Sequence, residues 1–279
     1  MKIAIIGGSG FLGSSIIRRE KDNHNITCFS RKRNTDIDKI GIDWKMADIR
    51  NRDTLTSLKD FDVVINLVGL IKKSDETHRE VNITGMKNII DSVDRNVKIV
   101  YLSAMNAEEC KTEYYRTKHE AEKMVMQRGN YLILRPSPIY GNKDYFTQTL
   151  LKLSNQNIPF LPKTEHLYPI YIADFVTIFN RLLPEQGIFE ISGTDEITLA
   201  QMVNIIRKMK EKREVKEMSR AFFYPLLPVL SAMGIITLEQ FKMLSLDFSK
   251  GRDIWKKYSI IPKSFNEVVP ALSSMQNTT

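Results

Sequence analysis

The chain has 279 residues, 42% hydrophobic and 27% charged, with a formal net charge of +8; this excludes a disordered or collagenous chain and allows one large domain or two small ones. Two cysteines (Cys28, Cys110) and four scattered histidines (His24, His78, His119, His166) lack the spacing of a metal site or redox pair and fit a reduced, cytoplasmic setting. The first apolar run is too short for a signal peptide, and the excess positive charge reads as spread surface cations or as a match to an acidic partner such as anionic lipid, with no nucleic acid expected.

Residues 3–6 are uniformly apolar, as a central strand covered on both faces requires. They run into Gly7-x-x-Gly10-x-x-Gly13, which opens a helix predicted over 11–19. In that context one glycine permits the tight turn, one lets a pyrophosphate approach the backbone, and one lets the helix pack against the sheet. The helix then directs its N-terminal N–H groups and dipole at the phosphates. A dinucleotide site is therefore expected at this loop.

Further strands are predicted over 26–30, 44–49, 63–68, 97–103 and 131–135, with helices over 54–59, 81–93 and 113–127. This alternation demands a parallel sheet with helices on both faces, and right-handed crossovers make it a doubly wound α/β Rossmann fold. A strand over 168–171, a helix from 173 and a strand over 187–192 complete the sheet. Thr198-x-x-Gln201 and Ser264-x-x-Glu267 are capping-box helix starts. No flexible linker is visible. The expectation is a Rossmann core over 1–195, with a smaller, mostly helical, substrate-side lobe over 196–279 packed on it as a single unit.

Within that lobe the Lys/Arg run from Arg207 to Arg220 is interleaved with Glu211, Glu214 and Glu217, as on a solvated helix face. The following stretch, 221–236, is apolar but broken by Pro225, Pro228 and Gly234, and is shorter than the roughly 20 residues a bilayer span needs. Two readings stand: a core helix of the lobe, or an apolar segment that lines the pocket opposite Tyr114 and makes peripheral contact with an anionic membrane.

The second strand ends in Ser30-Arg31-Lys32-Arg33 with no acidic residue at its tip. A carboxylate there serves the ribose 2′-hydroxyl of NAD, whereas an arginine can grip a 2′-phosphate. NADP(H) is therefore expected over NAD(H), with Arg31 as the phosphate ligand; a solvated basic loop is the alternative. Tyr114-x-x-x-Lys118 opens the helix after the fifth strand and shares one helix face. Its ammonium is expected to lower the phenol pKa from about 10, so that Tyr114 exchanges a proton with a substrate hydroxyl while hydride moves to or from a nicotinamide.

These segments, with Asp48 in Ala-Asp-Ile, Asn66-Leu67-Val68-Gly69, Val81-Asn82-x-x-Gly85, the extension of the tyrosine motif to Glu122, Arg135-Pro136-Ser137-Pro138-Ile139-Tyr140-Gly141 and Pro169-Ile170-Tyr171-Ile172-Ala173-Asp174, follow one another as in a known family. The chain resembles the extended and atypical short-chain dehydrogenase/reductases, of NAD-dependent epimerase/dehydratase type, over nearly its whole length. Ser103-Ala104-Met105-Asn106-Ala107 ahead of Tyr114 is similar to the group typified by the nucleotide-binding accessory subunit of respiratory complex I.

The resemblance implies cofactor contacts from Gly7, Ser9, Gly10, Phe11, Leu12, Gly13, Ser30, Arg31, Asp48 (at adenine), Ile49, Leu67, Val68, Gly69, Lys118 and Pro136. It implies catalysis by Tyr114, Lys118 and, anchoring a water relay, Asn82, without a metal; Ser103 either joins them as a substrate-binding hydroxyl or serves backbone groups at the strand end. One departure stands out: extended reductases carry Ser or Thr just after the fifth-strand serine, where this chain has Ala104 and Met105. The expected function is an NADP(H)-dependent oxidoreductase for an unidentified small molecule: a lipophilic carbonyl or alcohol, or a nucleotide-sugar-like compound. The alternative is a non-catalytic NADP(H) sensor, or an assembly or stability factor of a respiratory or membrane complex.

Overall fold

The structure, a computed structural model, describes residues 1–33, 35–70, 77–109, 112–142, 144–232 and 237–274. Cys110 and the last four residues of the apolar stretch, Gly234 among them, lie outside that set. In chain order the elements are β1 (Lys2–Ile6), α1 (Phe11–Glu20), β2 (Asn25–Ser30), α2 (Thr35–Ile40), β3 (Asp43–Met46), a 3₁₀ stretch (Arg52–Asp60), β4 (Val63–Asn66), a π-helical turn (Glu80–Thr84) leading into α3 (Gly85–Asp91), β5 (Lys98–Leu102), α4 (Glu113–Met126) and β6 (Tyr131–Pro136). β7 (Ile139–Tyr140), α5 (Tyr145–Asn155), β8 (Phe160–Pro162), β9 (Ile170–Tyr171), α6 (Ile172–Leu182) and β10 (Gly187–Ile191) follow. The chain continues through α7 (Leu199–Met209), β11 (Lys216–Met218), α8 (Arg220–Phe223), a 3₁₀ turn (Tyr224–Leu226), α9 (Leu227–Ala232), α10 (Leu238–Met243), α11 (Ile254–Lys257) and α12 (Phe265–Ser274).

Two compact units emerge, and they are not divided by a single cut at 195. The first comprises 1–136 and 176–190; the second comprises 137–175 and 191–279. The chain leaves the first unit after β6, builds part of the second, and returns along α6 into β10, a route that local sequence patterns do not reveal.

The first unit is built on a seven-stranded sheet of order β10-β6-β5-β4-β1-β2-β3. The pairings of β1 with β2 and β4, of β2 with β3, of β4 with β5 and of β5 with β6 are parallel. This is the expected doubly wound Rossmann sheet. Strand order reverses between β1 and β4, so the crevice at their carboxyl ends is where a ligand is received. β1 occupies the middle because Ile3, Ala4, Ile5 and Ile6 are buried without a polar face. Leu55, Leu58, Met86, Ile89, Ala121 and Val125 belong to the same core cluster as Ala4, Val64 and Ile99.

Of the elements that differ from expectation, two border the site. β3 ends at Met46 rather than 49. Thr54 is the cause: its hydroxyl accepts from the Asp48 N–H and donates to the Asp48 carbonyl, both at 3.0 Å, closing a loop where the strand would continue. The helix predicted over 81–93 starts as a π turn and becomes regular only at Gly85. A Cβ at Gly85 would come within 2.5 Å of Ile49 Cδ1, so glycine is needed for α3 to lie this close to Ile49.

In the second unit β7 pairs with β9 and β8 with β11, and α7 packs against α5 and α12. The capping box at Thr198 and Gln201 is present. Ser264 and Glu267 make the reciprocal bonds at 2.9 and 3.3 Å. A third box, Thr237 with Gln240, was not expected from the sequence.

The most costly group to bury in the first unit is Glu122, which has no exposure. Arg135 from β6 binds it through Nε (2.9 Å) and Nη2 (2.7 Å) and extends toward Glu108 and Glu190. Removing one partner strands a buried charge, whereas replacing both with apolar groups does not. We expect Arg135→Leu to lower unfolding free energy by about 3–5 kcal/mol in urea titration, with Arg135→Leu/Glu122→Leu recovering most of the loss.

Candidate functional site

The turn after β1 bends at Gly7, with φ +81°. The Gly7 N–H reaches the Phe29 carbonyl of β2 at 2.8 Å, and the Gly10 N–H closes back on the Gly7 carbonyl at 3.0 Å. A Cβ at Gly13 would stand 2.5 Å from both the Gly7 oxygen and the Gly8 Cα, so only glycine lets α1 seat this tightly. Gly10 is the N-cap, and no side chain caps α1. Its first N–H groups therefore face the end of β1 uncovered by the helix's own side chains, as an anion site requires. Cys28 packs beneath this turn; burial pushes its thiol up to about 11, so it serves as a small apolar filler.

A cavity of about 650 Å³ opens in front of the turn. Of the residues singled out from the sequence, Gly7, Ser9, Gly10, Ser30, Arg31, Asp48, Ile49, Leu67, Val68 and Gly69 lie on its wall, and Lys32, Arg50 and Val81 join them. Phe11, Leu12, Gly13 and Pro136 do not line it. Gly13 packs behind the turn, Leu12 is buried, and the Pro136 carbonyl accepts from the Met105 N–H at 3.1 Å.

The basic tip of β2 divides its cations. Arg33 pairs with Asp38 at 2.6 Å and lies 5.9 Å from the Trp44 ring centroid, while Arg31 and Lys32 stay on the cavity wall. Ser30 folds the tip rather than offering a spare hydroxyl: it donates to the Lys32 carbonyl and accepts from the Trp44 indole N–H, each at 2.8 Å. Asp48 is gripped by Arg50 through Nε (3.0 Å) and Nη2 (2.5 Å). Those bonds, with the Arg31 charge nearby, hold its carboxyl below its usual range. Arg50 was missed in the sequence; an Asp-x-Arg spacing just past a strand is its only signal.

Lys118 lies behind Gly69, where a Cβ would come within 3.2 Å of its Nζ. The amine donates to the Leu102 carbonyl at 2.7 Å and sits 4.7 Å from the Tyr101 ring centroid. Burial drops its pKa to about 7 against a counter-pull from Glu122. Tyr114 meets His78 and Tyr115 edge-on, with ring centroids 5.7 and 5.0 Å away. Desolvation pushes its hydroxyl up to about 12, so the expected acidification is reversed. The ammonium is turned to β5, and the loss of water around the phenol decides the sign.

Asn82 donates to the Thr117 hydroxyl at 3.0 Å. Asn82 Oδ1 and Ser103 Oγ are buried with no hydrogen-bond partner among the described residues. Orphaned polar atoms of this kind call for a bound group, so the residues present fit a nicotinamide dinucleotide: glycine turn, cationic tip, and unspent hydroxyl and amide. Ala104 and Met105 are buried and offer no hydroxyl. Among the described residues no group of His, Cys, Asp or Glu could hold a metal ion.

The Lys118 pKa falls from 10.5 in the open chain to about 7 on folding, so above pH 7 the unfolded state holds more protons and stability rises with pH. Cys28, raised from 9.0, opposes this only above pH 9. Between pH 7 and 9 we expect wild type to gain about 2 kcal/mol over Lys118→Met, read from paired urea melts.

Residues 3–185 match the model of the NAD dependent epimerase/dehydratase family. UPF0659 protein YMR090W of Saccharomyces cerevisiae is 26% identical over 163 residues, 51% of this chain and 72% of that protein. The NADPH-dependent quinone oxidoreductase QOR2 of Escherichia coli, in complex with NADPH, is similar over 97% of this chain and 99% of that one, with TM-score 0.73 and 20% identity. The Citrobacter sp. triphenylmethane reductase complexed with NADP(H) is similar over 98% and 100%, with TM-score 0.75 and 15% identity. Those two likenesses establish the fold, and the family match, which spans well over half the chain, establishes that this protein belongs to the NAD dependent epimerase/dehydratase family.

Proposed function

We propose that this protein is an NADP(H)-dependent oxidoreductase acting on a carbonyl, quinone or alcohol. The observation that carries the reading is the single cavity wall that joins the uncapped start of α1 to Arg31 and Lys32, with Lys118 directly behind Gly69. A 2′-phosphate is favoured over a bare ribose because no carboxylate stands at the tip of β2 and Asp48, the acid on that wall, is neutralised by Arg50. Two proteins of similar fold are described as complexes with NADPH and NADP(H).

Bound there, the nicotinamide supplies or accepts the hydride. Tyr114, protonated well beyond neutral pH, gives a proton to the substrate oxygen in reduction and takes it back in oxidation. An ammonium has three donors, and Lys118 spends one on Leu102, leaving two for a ribose hydroxyl. Ser103 offers its unspent hydroxyl to the substrate oxygen, and Asn82 its unspent carbonyl to a relay water.

A second reading, a cofactor-binding sensor or an assembly factor without turnover, is favoured by one observation: Ala104 and Met105 stand where a substrate-binding hydroxyl is expected. Losing such a donor raises a barrier by several kcal/mol.

We expect NADPH to bind at least about tenfold more tightly than NADH, a difference of about 1.4 kcal/mol, and Arg31→Ala to erase most of that margin. Equal affinities in the wild type would remove the NADP assignment. With a panel of quinones and aldehydes, Tyr114→Phe is expected to keep cofactor affinity and lose turnover. Normal turnover in that variant would refute the role of Tyr114, and wild-type binding without turnover on any substrate would select the second reading.

A further inference from the structure

From Ala221 to Ala232 the second unit carries twelve residues without a charged side chain. They form α8, a 3₁₀ turn and α9 end to end. The two prolines fall at early helical positions, where the missing N–H costs nothing. One side is satisfied: Phe223 and Leu227, four residues apart, pack with Phe241 of α10. The other side is not. Phe222, Leu226 and Val229 are 67%, 49% and 58% exposed, at the four-and-three spacing of one helical stripe. Tyr224, 52% exposed, adds a second aromatic ring. A helical segment apolar on both faces needs a second apolar environment.

The chemistry around the stripe says which one. The stripe offers no charge with which to read the polar groups of a protein partner. In sequence it is flanked by cations: from Arg207 to Lys242 the chain has eight Lys/Arg, of which Arg207 is buried, and four Glu, and the flanking Lys216 and Lys242 are exposed. Aromatic rings beside apolar side chains, bracketed by cations, suit the headgroup level of an anionic bilayer. Among the described residues no helix is long and apolar enough to cross a membrane, so contact would be interfacial.

We propose that α8, the 3₁₀ turn and α9 form an interfacial anchor that seats this protein on an anionic lipid surface. The inference is independent of the cofactor reading. The full chain is sedimented with phosphatidylcholine vesicles, with or without phosphatidylglycerol, at low and high salt. The expected result is binding that needs phosphatidylglycerol, weakens with salt, and falls about tenfold in Phe222→Ser/Leu226→Ser. Both side chains are exposed, so the double variant should fold, as checked by its melting curve and far-ultraviolet circular dichroism. A Tyr224→Trp variant should be quenched by brominated lipid, which a merely electrostatic contact would not produce. No sedimentation, or binding unchanged in the double variant, would overturn the anchor. So would a wild-type dimer in sedimentation velocity that the double variant converts to monomer, because the stripe would then belong to a second copy of the chain.

Discussion

The approach of α1 to the turn after β1 is the constraint on which the cavity depends. At Gly13 there is no room for even one carbon beyond the backbone. Because α1 sits that close, its uncapped N–H groups stand over the end of β1. Backbone bonds then lace the neighbouring strand ends to the same point: Gly7 N–H to the Phe29 carbonyl (2.8 Å), Ala47 N–H to the Ser30 carbonyl (3.1 Å) and Leu67 N–H to the Ile6 carbonyl (3.0 Å). The phosphate turn, the cationic tip, the Asp48 loop and the Leu67–Gly69 strip are thus held in register by the sheet itself. Little side-chain adjustment is left to assemble the wall, which is the preorganisation that a binding site on rigid elements provides.

A second constraint runs along α4. Lys118 and Glu122 are four residues apart and both are buried, an arrangement that would ordinarily let each neutralise the other. Glu122 is instead committed to Arg135 and to His119, and Lys118 turns to the Leu102 carbonyl and the Tyr101 ring. The ammonium therefore has a carbonyl, a ring face and a distant carboxylate, which do not repay its lost hydration, and its pKa drops toward neutrality. The same dryness raises Tyr114. Burial therefore moves the two groups in opposite directions, the phenol up and the ammonium down, and keeps the neutral form of each.

The sheet was legible because each strand announces itself locally: apolar runs bounded by turn residues give β1, β4, β5 and β6 within two residues of their ends. The glycine turn was legible for the same reason, since its demands are set by immediate neighbours. What failed depends on partners remote in sequence. Nothing near Asp48 reveals that Thr54 closes its loop and ends β3 at Met46. Arg31 and Arg33 look alike in the sequence; the structure pairs Arg33 with Asp38 and Trp44 and keeps Arg31 on the cavity wall. The spacing of Tyr114 and Lys118 was readable, but the sign of their electrostatics was set by how deeply the fold buries them, the phenol pushed up and the ammonium down. The two-unit division escaped for a topological reason, because the 137–175 excursion leaves no composition change at its ends.

The net charge of +8 takes on meaning only once its cations are apportioned. Arg33, Arg50 and Arg135 are each held by a carboxylate, from Asp38, Asp48 and Glu122 respectively. They stiffen the first unit and add little to its outward field. Arg31 and Lys32 give the cavity a local positive sign suited to a phosphate. The larger surplus lies in sequence around the uncharged stripe of the second unit, where eight Lys/Arg, Arg207 among them buried, stand against four glutamates. An excess placed for solubility alone would be spread without regard to apolar exposure. Here it flanks, in sequence, the exposed apolar side chains Phe222, Leu226 and Val229, the pairing on which the proposed lipid contact rests.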